Sequence, residues 1–216
     1  MKDTPVRQTS PIAMTVAWTL SGLVSLLALI VWGSSFGWQF SGFSTYQLFP
    51  IFGLLAFSVM WSHYVMGLVH RLFFGKTELA GYFRWTGYFV LLCIVAHPGL
   101  LIYQRFRDGF GLPPGSYETY VAPSVAWVTL LGSVCLLIFL AFELHRWFGK
   151  RSWWKYVVYA GDLAMLGIFY HSLRLGSQTH GGWYRIVWWV YGVSLIAVLL
   201  YNYAGKIWKL PGSRQI

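Results

Sequence analysis

The stretch Trp85–Gln104, WTGYFVLLCIVAHPGLLIYQ, decides how this chain folds. It contains 20 residues without a charged side chain. A helix rises about 1.5 Å per residue, so it covers about 30 Å in 20 residues, which is the hydrocarbon thickness of a bilayer. The stretch therefore predicts a membrane-spanning helix. Its single histidine, His97, lies well inside the apolar run. Because an ionisable ring inside a membrane is costly, His97 is a candidate functional residue.

The composition of the whole chain extends this prediction. The chain has 216 residues, of which 57% are hydrophobic and 10% are charged, whereas about 25% of the residues of a soluble domain are charged. The apolar residues form six long runs, at about residues 12–32, 48–69, 85–104, 122–142, 156–173 and 186–204. This pattern predicts an all-α fold, a six-helix transmembrane bundle in which residues 1–216 form a single integral membrane domain. The net charge of +10 indicates basic residues at the membrane edges rather than binding to nucleic acid.

The lysine and arginine residues predict the orientation in the bilayer. If both termini are cytoplasmic, twelve basic residues lie on the inner side, namely Lys2, Arg7, Arg71, Lys76, Arg84, Arg146, Lys150, Arg151, Lys155, Lys206, Lys209 and Arg214. Four then lie outside, namely Arg105, Arg107, Arg174 and Arg185. The positive-inside rule favours this orientation. Six spans of this kind suit a bacterial inner membrane, the plasma membrane of the cell.

A second histidine, His171, lies deep in the fifth apolar run. His97 follows Trp85 by 12 residues and His171 follows Tyr156 by 15, on two spans that run in the same direction, so we expect both rings in the outer half at similar depth. Two neutral imidazoles at one level of a bundle are suited to be the axial ligands of a b-type haem. The alternative is that each ring satisfies a hydrogen bond between helices. Small residues that would let helices or a macrocycle approach closely are Gly87, Gly99, Gly161 and Gly167.

The surroundings of the two histidines form a pattern. Arg84 and Gly87 lie at the start of the third span, His97 follows that glycine by ten residues, and Trp154, Lys155 and Tyr159 lie at the start of the fifth span, before His171. On these residues the chain resembles, over roughly residues 48–175, the ferric reductase-like transmembrane domain family. That family includes membrane ferric reductases, NADPH oxidases and the haem-binding subunit of the methionine sulfoxide reductase system. The resemblance implies six helices and a haem b whose iron is ligated by His97 and His171 near the outer face.

The chain also departs from the family pattern. Many members bind a second, inner haem through histidines about four turns inward on the same two helices, and the corresponding positions here are near Phe83 and Val158. Neither side chain ligates iron, so we expect one haem, with the inner haem absent or moved. The sequence has no G-x-G-x-x-G motif, so we expect a separate protein to supply any flavin and nicotinamide chemistry.

Three further histidines leave a second haem open. His63 and His70 are seven residues apart, on one face of the second span, and His145 closes the fourth span on the same inner side. A haem held by these spans would be similar to the arrangement in cytochrome b561. The alternative is that His70 and His145, which precede Arg71 and Arg146, are ordinary interfacial residues. His63 is deeper, and it would then pack through a hydrogen bond or contact a substrate or quinone.

Asp162 lies about two turns into the fifth span. A carboxylate in this environment needs a partner or becomes protonated, and Lys155, Arg84 and His63 are candidate partners. Together with His63, Asp162 forms a candidate proton or quinone site in the inner half, in the region that an inner haem would fill. The alternative is a structural ion pair or hydrogen bond.

The sequence is compatible with three functions. The first is a membrane cytochrome b that carries electrons from quinol or a flavoprotein to an acceptor at the outer face, such as a ferric chelate, oxygen or a partner protein; two histidine ligands would leave its iron no open site. The second is a haem-free scaffold or transporter. The third is an anchor subunit of a periplasmic reductase. Whether the chain is itself an oxidoreductase or an electron-transfer subunit stays open.

Overall fold

The computed structural model describes residues 10–42, 44–75 and 79–208, and within these ranges it has helices and no β-strand. The long helices are α1 (Pro11–Ser34), α2 (Thr45–Val69), α3 (Ala80–Arg107), α4 (Ala126–Phe142), α5 (Trp154–Leu175) and α6 (Gly182–Trp208). Short helical segments are His70–Phe74, Gly115–Glu118, Pro123–Val125, His145–Phe148 and Ser177–Thr179. The predicted all-α fold class is confirmed. Some residues of the orientation count lie outside the described ranges, namely Lys2, Arg7, Lys76, Lys209 and Arg214.

Five helical segments are long and apolar enough to cross a membrane, namely Pro11–Ser34, Thr45–Phe74, Ala80–Arg107, Pro123–Phe142 and Gly182–Gly205. The chain is therefore an integral membrane protein. Helix α5 is also of spanning length, with 22 residues, but it carries Lys155, Asp162 and Arg174 and is not one of the five.

Several helices extend beyond the apolar runs that predicted them. Helix α2 begins at Thr45 rather than near residue 48, because the Ser44 N–H donates to the Gln47 side chain at 2.9 Å and so caps the helix. Helix α3 spans Ala80–Arg107, so it begins five residues before the apolar run and ends three residues after it. Helix α4 begins four residues later than predicted, after the turn Pro123–Val125.

Helix α2 is the centre of the bundle. It packs against α1, α3 and α6, while α4 pairs with α5. The main apolar core lies between α1, α2, α5 and α6, and its largest fully buried members include Phe57, Met165, Tyr184, Trp188 and Leu195. By their order in the chain, α2, α4 and α6 begin at one end of the bundle, here called the upper end, and α3 and α5 begin at the other, the lower end. One cavity lies near each end.

A buried polar cluster joins the first three helices at their shared interface. The hydroxyl group of Ser21 in α1 lies 2.6 Å from that of Tyr82 in α3 and 2.8 Å from that of Ser62 in α2. The Ser62 and Tyr82 hydroxyl groups are 3.1 Å apart. All three side chains are buried, and the Ser62 hydroxyl group also donates to the carbonyl oxygen of Val59 at 2.7 Å, so the cluster satisfies its polar atoms within the protein.

Candidate functional site

The rings of His97 and His171 line one cavity of about 410 Å³ near the upper end. Its walls come from α2, α3, α4, α5 and the start of α6, and they include Phe49, Gly53, Ile94, Leu101, Gly132, Leu136, Ile168 and Trp188. Cofactor sites in proteins are mostly apolar clefts of roughly 300–1,000 Å³ with a few placed polar groups. The structure thus brings together the two histidines that the sequence singled out, in a cavity of cofactor size.

The ring of His97 is held by the backbone of α2. Its Nδ1 lies 2.8 Å from the carbonyl oxygen of Phe49, and the Phe49 ring packs against the imidazole at a centroid distance of 5.2 Å. A carbonyl oxygen only accepts hydrogen bonds, so a neutral His97 carries its proton on Nδ1. Its Nε2 then keeps a lone pair that is free to ligate a metal.

The ring of His171 is held in the same way by α4. Its Nδ1 lies 2.9 Å from the carbonyl oxygen of Val128, so Nδ1–H donates and Nε2 keeps its lone pair. The neighbouring residue Ser172 accepts a hydrogen bond of 2.7 Å from Nε1 of Trp188, which lines the same cavity. Both histidines therefore have the tautomer and the backbone hydrogen bond that are typical of metal-ligating histidines.

Two glycines that no sequence pattern singled out lie at this site. Gly53 and Gly132 lie directly against the two histidine rings, and both line the upper cavity. Of the four glycines chosen from the sequence, Gly87 and Gly161 line the lower cavity, and Gly99 has open space beside it. Gly167 lies at a close approach of α5 to α4, where an added Cβ atom would be 2.8 Å from Sγ of Cys135.

The upper end of the cavity carries a chain of polar side chains. The hydroxyl group of Tyr46, which lines the cavity, donates to Asp108 at 2.7 Å. The Gln104 amide group donates to the same carboxylate at 2.8 Å and accepts from Thr45 at 2.7 Å. The hydrogen bonds from Tyr46 and then Gln104 lower the pKa of Asp108. The Tyr46 ring also stacks on Tyr120 at a centroid distance of 6.2 Å, so this rim ties α2 to α3 and to the loop that follows α3.

A second cavity, of about 510 Å³, lies near the lower end. His63 and Asp162 both line it, as do Phe83 and Val158, the two positions where the resembling family would hold an inner haem. The other lining residues include Tyr64, Gly67, Arg71, Arg84, Tyr88, Phe142, Glu143 and Asn202. The fold therefore gathers His63, Asp162, Phe83 and Val158, all of which the sequence placed in the inner half, around one cavity.

Asp162 is only 5% exposed, and tyrosines hold both of its oxygen atoms. The Tyr64 hydroxyl group donates to Oδ1 at 2.7 Å, and the Tyr203 hydroxyl group donates to Oδ2 at 2.6 Å. Sequence reasoning did not name these partners, which come from α2 and α6. Of the partners it named, Arg84 and His63 line the same cavity, while Lys155 lies over the ring of Tyr156 at 5.2 Å.

His63 makes its hydrogen bond through the other ring nitrogen. Its Nε2 lies 2.6 Å from Oγ1 of Thr86, and the Thr86 hydroxyl group donates to the carbonyl oxygen of Tyr82 at 2.7 Å. Because the Thr86 proton is used in that bond, Nε2 of His63 donates to Thr86. This nitrogen is therefore engaged, in contrast to Nε2 of His97 and His171.

The remaining histidines of the second-haem hypothesis do not line either cavity. His70 opens the short π-helical turn that follows α2. The His145 ring packs against the rings of Phe142 and Trp154, at centroid distances of 6.3 Å and 5.4 Å. The structure thus does not gather His63, His70 and His145 around either of these two cavities.

Comparisons with known proteins add no relative. No family model, curated protein or solved structure matches this chain. Among the residues that the structure describes, no group of three or more His, Cys, Asp or Glu side chains is arranged to hold a metal ion by itself. A two-histidine site therefore needs a cofactor that supplies the other ligands.

Proposed function

We propose that this protein is a membrane b-type cytochrome of the ferric reductase-like kind, in which His97 and His171 are the axial ligands of one haem b. One observation carries the proposal. Two histidines that are distant in sequence line a single apolar cavity, and each is bound through Nδ1 to a backbone carbonyl of a different helix. A merely structural histidine has no need to keep Nε2 free of a hydrogen bond, and here the rings of both histidines line the same cavity.

The residues present fit a haem. The donor set is two neutral imidazoles, which suits a six-coordinate b-type iron, and the walls are mainly aliphatic and aromatic, as a porphyrin requires. When bound, a haem of this kind supplies one-electron redox chemistry without an open coordination site. The protein's own residues orient the rings through Phe49 and Val128 and exclude water with the apolar wall.

We propose six membrane spans, with α5 as the additional one, and both termini in the cytoplasm of a bacterium whose inner membrane holds the protein. The charged side chains of α5 support this reading: Asp162 is buried with hydrogen-bonding partners rather than exposed to lipid, and Lys155 and Arg174 lie near the two ends of the helix. In this orientation the upper end of the bundle is the outer end. The haem then lies in the outer half of the bilayer.

We propose the lower cavity as the site of the electron donor. Met60, Ile94 and Phe139 line both cavities, so the two spaces adjoin within the bundle. Tyr88 and Phe142 line the lower cavity and are 56% and 36% exposed, so the cavity reaches the lipid-facing surface between α3 and α4. A lipid-soluble quinol suits such a site, because its head group needs proton acceptors and Asp162 and His63 are there. A soluble flavoprotein at the inner face is the alternative donor.

The acceptor site follows from the same orientation. The rim of the upper cavity includes Tyr46 and Tyr120, and in the proposed orientation it would face the outer side. A ferric chelate, oxygen or a partner protein would receive electrons there. The protein would be an electron-transfer subunit or, where the acceptor is a small molecule, an oxidoreductase in its own right.

The test is haem incorporation in single histidine variants of the purified protein. We expect His97→Ala and His171→Ala each to lose the haem, since one remaining imidazole holds a b-type haem poorly. His180→Ala is the matched control, because His180 is an exposed histidine in the loop before α6. A full haem spectrum in either His97→Ala or His171→Ala would overturn the ligand assignment, and loss of haem in His63→Ala or His145→Ala would revive a second haem.

A further inference from the structure

The ring of His97 lies against Gly53 of α2, and the ring of His171 lies against Gly132 of α4. Each ring fills the space that a side chain at that glycine would need. A Cβ atom at Gly53 would lie 2.8 Å from Cε1 and 2.9 Å from Nδ1 of His97. A Cβ atom at Gly132 would lie 2.7 Å from each of the same two atoms of His171. These distances are shorter than a Cβ atom makes to any non-bonded heavy atom. Alanine therefore fits at neither position unless the histidine ring moves.

The two contacts repeat one register. Gly53 follows Phe49 by four residues, and Gly132 follows Val128 by four. Residues four apart lie on one face of a helix, one turn above the other. Each ring therefore meets a carbonyl oxygen at one turn and bare backbone at the next. Since Nδ1 is bound to that carbonyl, the ring cannot swing away from an added methyl group without breaking its hydrogen bond.

From this geometry we infer that Gly53 and Gly132 are positioning residues, which let the rings of His97 and His171 lie against α2 and α4 with Nε2 of each ring free for iron. The inference rests on the proposed function for the identity of the metal group. It assigns no role to the glycines in contacting that group. Their action is on the ring orientation and the Nδ1–H hydrogen bond, the kind of outer-shell contact whose loss typically costs 10–100-fold in metal affinity.

The first experiment does not depend on haem. The unfolding of the detergent-solubilised protein is measured in the wild type, in Gly53→Ala, in His97→Ala and in the double variant. We expect Gly53→Ala to lower stability when His97 is present and to have no adverse effect when the ring is absent, because the overlap is with the ring. If Gly53→Ala alone fails to fold, recovery of folded protein in the double variant supports the inference. An equal loss in both backgrounds overturns it.

The second experiment reads the ligands directly in haem-loaded protein. In folded Gly53→Ala or Gly132→Ala we expect haem to dissociate roughly 10–100-fold faster. We also expect the reduced haem to bind carbon monoxide, because a displaced imidazole opens a coordination position. Gly99→Ala is the matched control on α3, two residues from His97, where an added Cβ atom meets no heavy atom within 4 Å.

These outcomes separate the inference from the proposed function. If the wild type binds no haem, the proposed function fails, and the double-variant comparison still decides whether the glycines hold the rings. If the wild type binds haem and both glycine variants keep its dissociation rate and exclude carbon monoxide, the positioning role is wrong while the haem site stands. A structural role alone would lower the yield of folded protein without changing the ligation of the haem that remains bound.

Discussion

The hydroxyl group of Tyr203 in α6 donates a hydrogen bond of 2.6 Å to Oδ2 of Asp162 in α5. The other carboxylate oxygen, Oδ1, accepts from Tyr64 in α2 at 2.7 Å. A buried carboxylate is tolerated in an apolar bundle when its oxygen atoms are satisfied in this way. Asp162 also lines the lower cavity. A proton acceptor there would serve a bound molecule that releases protons, such as a quinol that is being oxidised.

Asp162→Asn tests this use of the carboxylate. The substitution keeps the size of the side chain and removes its capacity to take a proton. If quinol is the donor, we expect the rate of haem reduction by a soluble hydroquinone analogue to fall on the order of 100-fold, within the range for loss of a general base. Reduction by dithionite should be unchanged, because that reagent delivers electrons without the site. The measurement is stopped-flow absorbance of the haem.

The control for this variant is Glu143→Gln. Glu143 lines the same cavity but is exposed, so its loss changes the local charge by the same amount without removing the buried base. Equal effects of the two substitutions would point to charge alone. Unchanged hydroquinone oxidation in Asp162→Asn would rule out this carboxylate and favour a flavoprotein donor.

Tyr82→Phe should weaken the attachment of α1 to the rest of the bundle. The variant loses the hydrogen bonds that the Tyr82 hydroxyl group makes with Ser21 and Ser62. Hydrogen bonds between membrane helices contribute about 0.6 kcal/mol each on average, so we expect a loss of about 1 kcal/mol in the free energy of unfolding. Equilibrium unfolding in mixed detergent micelles measures it. Tyr88→Phe, at an exposed tyrosine of the same helix, should be nearly neutral, and equal losses in the two variants would show that the buried cluster does not stabilise the fold.

Asp108 predicts a dependence of stability on pH at the upper end. Its pKa in the folded protein lies below the ordinary value of 3.8, chiefly because Tyr46 donates a hydrogen bond to its carboxylate. A depressed pKa gives stability that is fully present above the ordinary value and is lost as the pH falls through the folded-state value. We therefore expect Asp108→Asn to unfold at a lower temperature than the wild type at pH 7. The difference should shrink between pH 4 and lower pH, and a difference that stays constant over that range would contradict the assigned cause.

Sequence reasoning predicted the helices because a long apolar run has few alternatives in a membrane. It also predicted similar depths for His97 and His171, since depth along a helix follows from counting residues, and both rings line one cavity. It could not find Gly53 and Gly132, because a glycine that makes room for a ring on another helix leaves no periodic signal. The bounds of α3 were too short because hydropathy marks the apolar run and does not mark the polar turns that continue the helix.

The partners of Asp162 show the same limit. Tyr64 is 98 residues from Asp162 and Tyr203 is 41 residues from it, and tyrosines are frequent enough in this chain that neither is singled out by type. Sequence reasoning looked for opposite charges because Coulomb attraction is the strongest expected stabilisation of a buried carboxylate. Two hydroxyl groups that donate to this carboxylate are near it only because α2 and α6 pack on α5.

The most direct test of the haem site is an absorption spectrum of the detergent-purified protein, oxidised and then reduced with dithionite, together with the ratio of haem to protein. A bis-histidine b-type spectrum at about one haem per chain is the predicted result, since the two histidines of one cavity form one pair of axial ligands. Colourless protein, after expression with added haem, would contradict it and would favour a scaffold or transporter.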